Sequence, residues 1–124
     1  MTIQEAINVV DKLKPNSYDF LVKVKWLSKL DGQIYREVFA THEGNSAEGF
    51  RGYDDADPEQ KLLVPYPYDA DIYTYFLQAQ IDRENGEINK YNQSITLYNN
   101  AYAGFQAWYN RTHMPVTAGK RFRF

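Results

Sequence analysis

Histidine is the side chain that most readily moves protons near neutral pH, and this chain has two, His42 and His113. They are far apart in sequence, and both fall near the expected ends of helices. There an imidazole usually offsets the helix dipole or faces solvent, and that is the expectation for both. A zinc site needs about four nitrogen, sulfur or oxygen ligands at suitable spacing. No such cluster occurs, and cysteine is absent altogether. His42 is followed by Glu43, but position 46 is Ser46, so the His-Glu-x-x-His metalloprotease pattern is broken.

The run Asp54-Asp55-Ala56-Asp57-Pro58-Glu59 invites a calcium reading. A calcium loop requires glycine at its sixth position and a bidentate glutamate at its twelfth. Counted from Asp55 those places hold Gln60 and Tyr66, and counted from Asp54 they hold Glu59 and Pro65. A solvated acidic loop, or a patch facing a basic partner, is the expectation instead. Gly44, Gly49 and Gly52 lack the Lys-Ser or Lys-Thr pair of a phosphate-binding loop. Ser17, Ser28, Ser46 and Ser94 occupy no nucleophile-elbow context. No catalytic, cofactor-binding or metal-ligating residue is therefore assigned, and a non-enzymatic protein is expected.

The remaining residues with chemical potential close the chain, in Lys120-Arg121-Phe122-Arg123-Phe124. Basic and aromatic residues alternate there, as on an extended strand whose two faces differ. Arg121 and Arg123 suit acidic partner surfaces or passing phosphates, and Phe122 and Phe124 suit pockets on a neighbouring subunit. A subunit-binding arm uses both halves of this pattern and is favoured over nucleic-acid contact.

Composition narrows the classes further. The 124 residues fit one domain, and a formal net charge of −2 gives no global attraction to nucleic acid. No stretch approaches the roughly 20 apolar residues that span a bilayer, and the first residues lack the basic-then-apolar pattern of a secretion signal. Aromatic residues make up 16% of the chain, with Tyr dominant at eleven copies. Tyr combines an apolar body with a polar tip, which suits surfaces that become interfaces.

The elements that would carry these residues are helical. The first helix is expected over about Ile3–Lys14, with Thr2 and Glu5 spaced as a capping box, the stripe Ile3, Ile7, Val10 and Leu13, and a stop at Pro15. A second is expected over about Tyr18–Thr41, capped by Asn16 or Ser17. Its stripe Phe20, Val24, Leu27, Leu30, Ile34 and Val38 keeps phase across Asp31-Gly32, so one long helix, bent at the glycine, is favoured. A long connection over 43–69 follows. Its Leu62–Tyr68 half, extended by Pro65 and Pro67, is expected to be pinned to protein. A third helix over about Ala70–Asn85 is capped by Asp69, and Asn85-Gly86 is its stop. The fourth, about Glu87–Thr112, carries the aromatic seam Ile88, Tyr91, Ile95, Tyr98, Tyr102, Phe105 and Tyr109, with the small residues Ala103, Gly104 and Ala107 on another face. An antiparallel hairpin of the last two helices is favoured over one continuous helix through Gly86. The fold expected is mainly α: an antiparallel bundle of about four helices, residues 1–115, with a long central loop and an extended C-terminal arm, residues 116–124.

The runs Leu62-Leu63-Val64-Pro65-Tyr66-Pro67-Tyr68-Asp69-Ala70-Asp71-Ile72-Tyr73-Thr74-Tyr75-Phe76-Leu77 and Trp108-Tyr109-Asn110-Arg111-Thr112-His113-Met114-Pro115 resemble the head–tail connector, or head-completion adaptor, proteins of long-tailed phages and prophages of Gram-positive bacteria. The resemblance in pattern covers the chain from the first helix to Pro115. The long acidic loop and the Tyr- and Asn-rich last helix depart from the better-known connectors. The resemblance implies a helical virion protein, assembled in the bacterial cytoplasm, that forms or joins a ring at the phage neck. Its implied partners are its own copies and the portal or a tail-proximal adaptor, with at most weak DNA contact and no membrane. It brings no cofactor and no catalytic site. Tyr66, Tyr68, Phe122, Phe124, Arg121 and Arg123 are the expected subunit contacts. The other reading of the chain is a small nucleic-acid-binding or regulatory module acting through the basic tail.

Overall fold

The computed structural model describes residues 1–42, 50–53 and 57–113. Asp54, Asp55 and the tail residues Arg121, Phe122, Arg123 and Phe124 lie outside them. The chain folds as a helical bundle of α1 (Ile3–Leu13), α2 (Phe20–Ile34), α3 (Asp69–Glu84) and α4 (Ile88–Thr112). A π-helical turn, Tyr35–Phe39, continues α2 directly.

The start of α1 shows how local chemistry and tertiary contact share one task. Its first N–H groups have no partner within the helix. The expected capping box is present: Glu5 N donates to Thr2 Oγ1 (3.1 Å) and Thr2 N to Glu5 Oε1 (2.8 Å). The bond from Thr2 N first, and then the Thr2 hydroxyl, hold the Glu5 carboxyl below its ordinary pKa. The next two donors leave the helix, Ile3 N to Gln60 O (2.9 Å) and Gln4 N to Pro58 O (3.0 Å). The central segment thus completes the helix start, and Thr2 forms an antiparallel bridge with Lys61. Ile3, Ala6, Ile7 and Val10 are buried, whereas Leu13 is 62% exposed. The expected stripe ends a turn early because Lys14 turns inward and pairs with Asp82.

Helix α2 begins later than expected. Asp19 is its N-cap and makes no side-chain cap bond. Asn16 instead closes the preceding turn, accepting from Tyr18 N (3.1 Å) and donating to Asp11 Oδ1 and Lys14 O (both 3.0 Å). Val24, Leu27, Leu30, Ile34 and Val38 are buried as the stripe requires. Helical structure runs through Gly32, and the change of winding comes at Tyr35, whose carbonyl accepts from Ala40 N (2.7 Å). One extra residue enters that turn, and Phe39 packs against Phe105 and Tyr109 of α4.

Helices α3 and α4 form the antiparallel hairpin. Asp82 meets Ser94, Phe76 meets Tyr98, and Tyr68 meets Trp108, so the partners step in opposite directions along the chain. The reversal is a Schellman motif: Gly86 N donates to Arg83 O (3.1 Å) and Glu87 N to Asp82 O (2.9 Å), with Gly86 at φ +74°. Helix α3 is central, packed on α1, α2 and α4. Its N-cap is Tyr68 rather than Asp69, which is already helical and accepts from Ala70 N (2.7 Å). The α4 seam holds at Tyr98, Phe105 and Tyr109 but fails at its start, where Ile88 is 62% exposed and Ser94 is buried. Ser94 is drawn inward by Asp82 of α3, a partner that α4 alone cannot reveal.

Candidate functional site

The central segment is held by a residue that reads in sequence as an interruption. Asp31 shares the inward face of α2 with Leu27, Leu30 and Ile34 and is fully buried. A carboxylate in that place needs donors for both oxygens. Tyr73 OH of α3 donates to Oδ1 (2.7 Å); Tyr53 OH and Leu63 N (3.1 Å) donate to Oδ2. Tyr73 OH in turn accepts from Val64 N (2.9 Å). Two successive backbone donors of the connection are thereby captured, while Leu62 and Val64 enter the core. Burial holds the Asp31 carboxyl above its ordinary pKa, against the opposing pull of the bonds from Tyr53, Tyr73 and Leu63. Burial also raises the Tyr53 and Tyr73 hydroxyls, and the Asp31 charge adds to both shifts. Both Asp31 oxygens are taken by the protein's own donors, so the cluster acts as a clasp on the segment.

Past the clasp the segment turns rather than staying extended. Tyr68 N donates to Pro65 O (3.0 Å), and the Tyr66–Pro67 bond is cis. Tyr66, at the tip, is 86% exposed, more than any other large apolar residue described. Tyr68 is half-buried against the chain's own Phe105 (5.8 Å between ring centres) and Trp108 (5.3 Å). Of the expected contact residues, then, Tyr66 is free to meet a partner and Tyr68 is largely engaged at home. Phe122, Phe124, Arg121 and Arg123 lie outside the described residues.

The aromatic surplus read from composition is mostly absorbed inside the chain. Among the described Phe, Tyr and Trp rings only Tyr66 is exposed, the rest being buried or half-buried. The half-buried tyrosines resolve the conflict by hiding the ring and bonding the hydroxyl: Tyr18 to Asn85 Oδ1, Tyr102 to Glu37 Oε1 (both 2.6 Å). What stands out beside Tyr66 is aliphatic: Val9 and Leu13 on α1, Leu21 and Val22 on α2, Ile88 and Leu97 on α4.

The two histidines, far apart in sequence, meet around one ring. Tyr109 stacks on His113 (3.8 Å between centres) and receives His42 edge-on (4.7 Å). Both histidines end helical segments in a Thr-His pair. His42 Nδ1 approaches Val38 O (2.5 Å) and His113 Nδ1 approaches Tyr109 O (3.2 Å), while Thr41 and Thr112 hydroxyls bond carbonyls of the same turns. Helix-end service was therefore legible, but the burial of His42 was not, because Tyr109 supplies it across the bundle. His42 Nε2 is buried without a hydrogen-bond partner.

Two further buried charges escaped the sequence reading. Asp82 is paired with Lys14 and accepts from Ser94 Oγ (3.1 Å), tying α1, α3 and α4. Lys23 is paired with Asp11 (2.7 Å) between α1 and α2. Among the described residues no group of three or more histidine or acidic side chains is placed to hold a metal, and no helix is long and apolar enough to cross a membrane. No protein-family model, curated protein or solved structure matches the chain.

Proposed function

We propose that this chain is a non-enzymatic structural subunit that works by docking on other subunits, as a head–tail connector or adaptor at a bacteriophage neck. The observation that carries the reading is Tyr66. It is 86% exposed, yet it stands on a segment anchored on both sides by buried Val64 and half-buried Tyr68. An aromatic ring presented from a fixed backbone loses little freedom on binding, which is the signature of an interface anchor. The sequence resemblance of Leu62–Leu77 to the connector proteins falls on this same clasped turn. In the proposed role the bundle is the rigid body, Tyr66 and the exposed aliphatic side chains are contact surface, and the partners are further copies of the chain and the portal ring. The particle is the place of action, and no cofactor is called on.

Light scattering of the chain alone and with a purified portal ring tests this. The expected result is self-association or ring capture that Tyr66→Ala weakens by about tenfold or more, with its melting temperature unchanged. A chain that stays monomeric at every concentration and ignores the ring would remove the proposal.

A further inference from the structure

On the outer side of α2, beside the clasp residue Tyr53, lies a hollow of about 360 Å³ that the adaptor reading does not use. Its described lining includes Lys29, Arg36 and Arg51 and no acidic residue. This concentration of positive charge stands on a chain whose formal net charge is −2.

Among the described residues, the carboxylates beside Gly32 and Arg36 in sequence are committed elsewhere. Asp31 faces inward to Tyr53 and Tyr73. Glu37 accepts from Tyr102 OH (2.6 Å) and from Gln33 Nε2 (3.1 Å). No ion pair reaches Lys29, Arg36 or Arg51 among the described residues. Three cations that share a concavity with no counter-charge among the described residues repel one another, and an anion seated between them removes that cost.

The walls suit an anion of tetrahedral oxygens. Gly32 leaves open the space where a side chain would begin, with Arg36 Nη1 3.8 Å and Phe50 Cε2 4.0 Å from it. Gly52, at φ +103°, holds its backbone beside Ser28, whose hydroxyl accepts from Tyr53 N (2.9 Å) and keeps its own proton to donate. Guanidinium groups present paired donors that match phosphate oxygens. Phe50, braced edge-on by Tyr53 (5.0 Å), adds an apolar side to the hollow.

We propose that this hollow is a phosphate-binding site, taking either a free phosphate-bearing molecule or a backbone phosphate of nucleic acid. A second hollow of about 300 Å³ adjoins it across Lys29, with Trp26, Phe76 and Arg83 in its lining. A polyanion crossing from one to the other meets Arg83, which a single phosphate in the first hollow does not. The site stands independently of Tyr66 and of the adaptor reading.

The test is calorimetric titration of the full chain with inorganic phosphate, pyrophosphate and a short DNA oligonucleotide at low and high salt. Arg36→Ala and Arg51→Ala are each expected to weaken binding by about tenfold, and Arg111→Ala, at the far end of α4, to leave it unchanged. Gly32→Leu keeps every charge but fills the hollow, and it is expected to abolish binding. Equal loss for phosphate and oligonucleotide with Arg83→Ala silent identifies a small-molecule site. Loss with Arg83→Ala for the oligonucleotide alone, with a steep salt dependence, identifies nucleic acid. No binding of any probe to the unaltered chain, or binding that survives Gly32→Leu, overturns the proposal. Unchanged melting temperatures of the variants show that each loss is local.

Discussion

Asp31 illustrates how one residue can carry a segment. Removing its carboxylate leaves Tyr53 OH, Tyr73 OH and Leu63 N facing an empty acceptor position in the interior. Asp31→Ala is expected to cost about 3 kcal/mol in denaturant melts, since stranded buried donors lose their full solvation. Tyr73→Phe, which also strands Val64 N, is expected to cost about 2 kcal/mol, and to loosen Tyr66 without touching it. The pH dependence has a definite sign. Burial raises the Asp31 pKa above its ordinary 3.8 in the folded chain. The folded state therefore holds this proton more tightly, so this group's contribution is complete below that ordinary value and is lost as pH rises through the raised one. Comparing urea melts across acidic pH, Asp31→Asn is expected to lack this component of the slope. The residue was visible in sequence only as a flaw in an apolar stripe, because its three donors come from separate parts of the chain.

At the scale of elements, the helices were legible where periodicity and local punctuation agree. Thr2 and Glu5 marked the start of α1, and Asn85-Gly86 marked the turn into α4. Gly86→Ala is expected to cost about 1 kcal/mol in thermal melts, because its left-handed φ penalises a Cβ even where space is open. What local punctuation missed is polar traffic between elements. Lys14 pairs with fully buried Asp82, so Lys14→Ala leaves that charge uncompensated and is expected to cost about 3 kcal/mol. Lys14→Met combined with Asp82→Asn is expected to recover most of that loss, which a double-mutant cycle measures. His42 offers the opposite case. His42→Phe keeps a ring against Tyr109 and removes a buried, unpartnered nitrogen, offsetting the lost bond to Val38 O. Its melting temperature is expected to correspond to a change within about 1 kcal/mol.

For the whole molecule, the surplus of rings read from composition becomes mainly internal packing. Phe39, Phe105, Trp108, Tyr68 and Tyr109 form one cluster where the ends of α2, α3 and α4 meet. Tyr98, beside Phe76, has its hydroxyl pushed up to about 12, by burial first and then by the charges of Glu37 and Asp31. Among the described residues, the apolar surface left open therefore consists of Tyr66 and the exposed aliphatic side chains rather than the rings at large. Surface-only changes such as Leu21→Ser and Ile88→Ser are expected to leave the melting temperature nearly unchanged. If those faces serve association, light scattering of the same variants will report it as a shift to smaller species.

The sequence by itself determined four helical segments, most of their inward stripes and the hairpin. All of these rest on periodicity, capping and turn chemistry, which act over a few neighbouring residues. Only the tertiary structure decided that Asp31, Lys23 and Asp82 point inward, that two distant histidines share Tyr109, and that Lys29, Arg36 and Arg51 gather around one hollow. A charged side chain faces inward only where a partner awaits it, and its partner here comes from another element that no local spacing records.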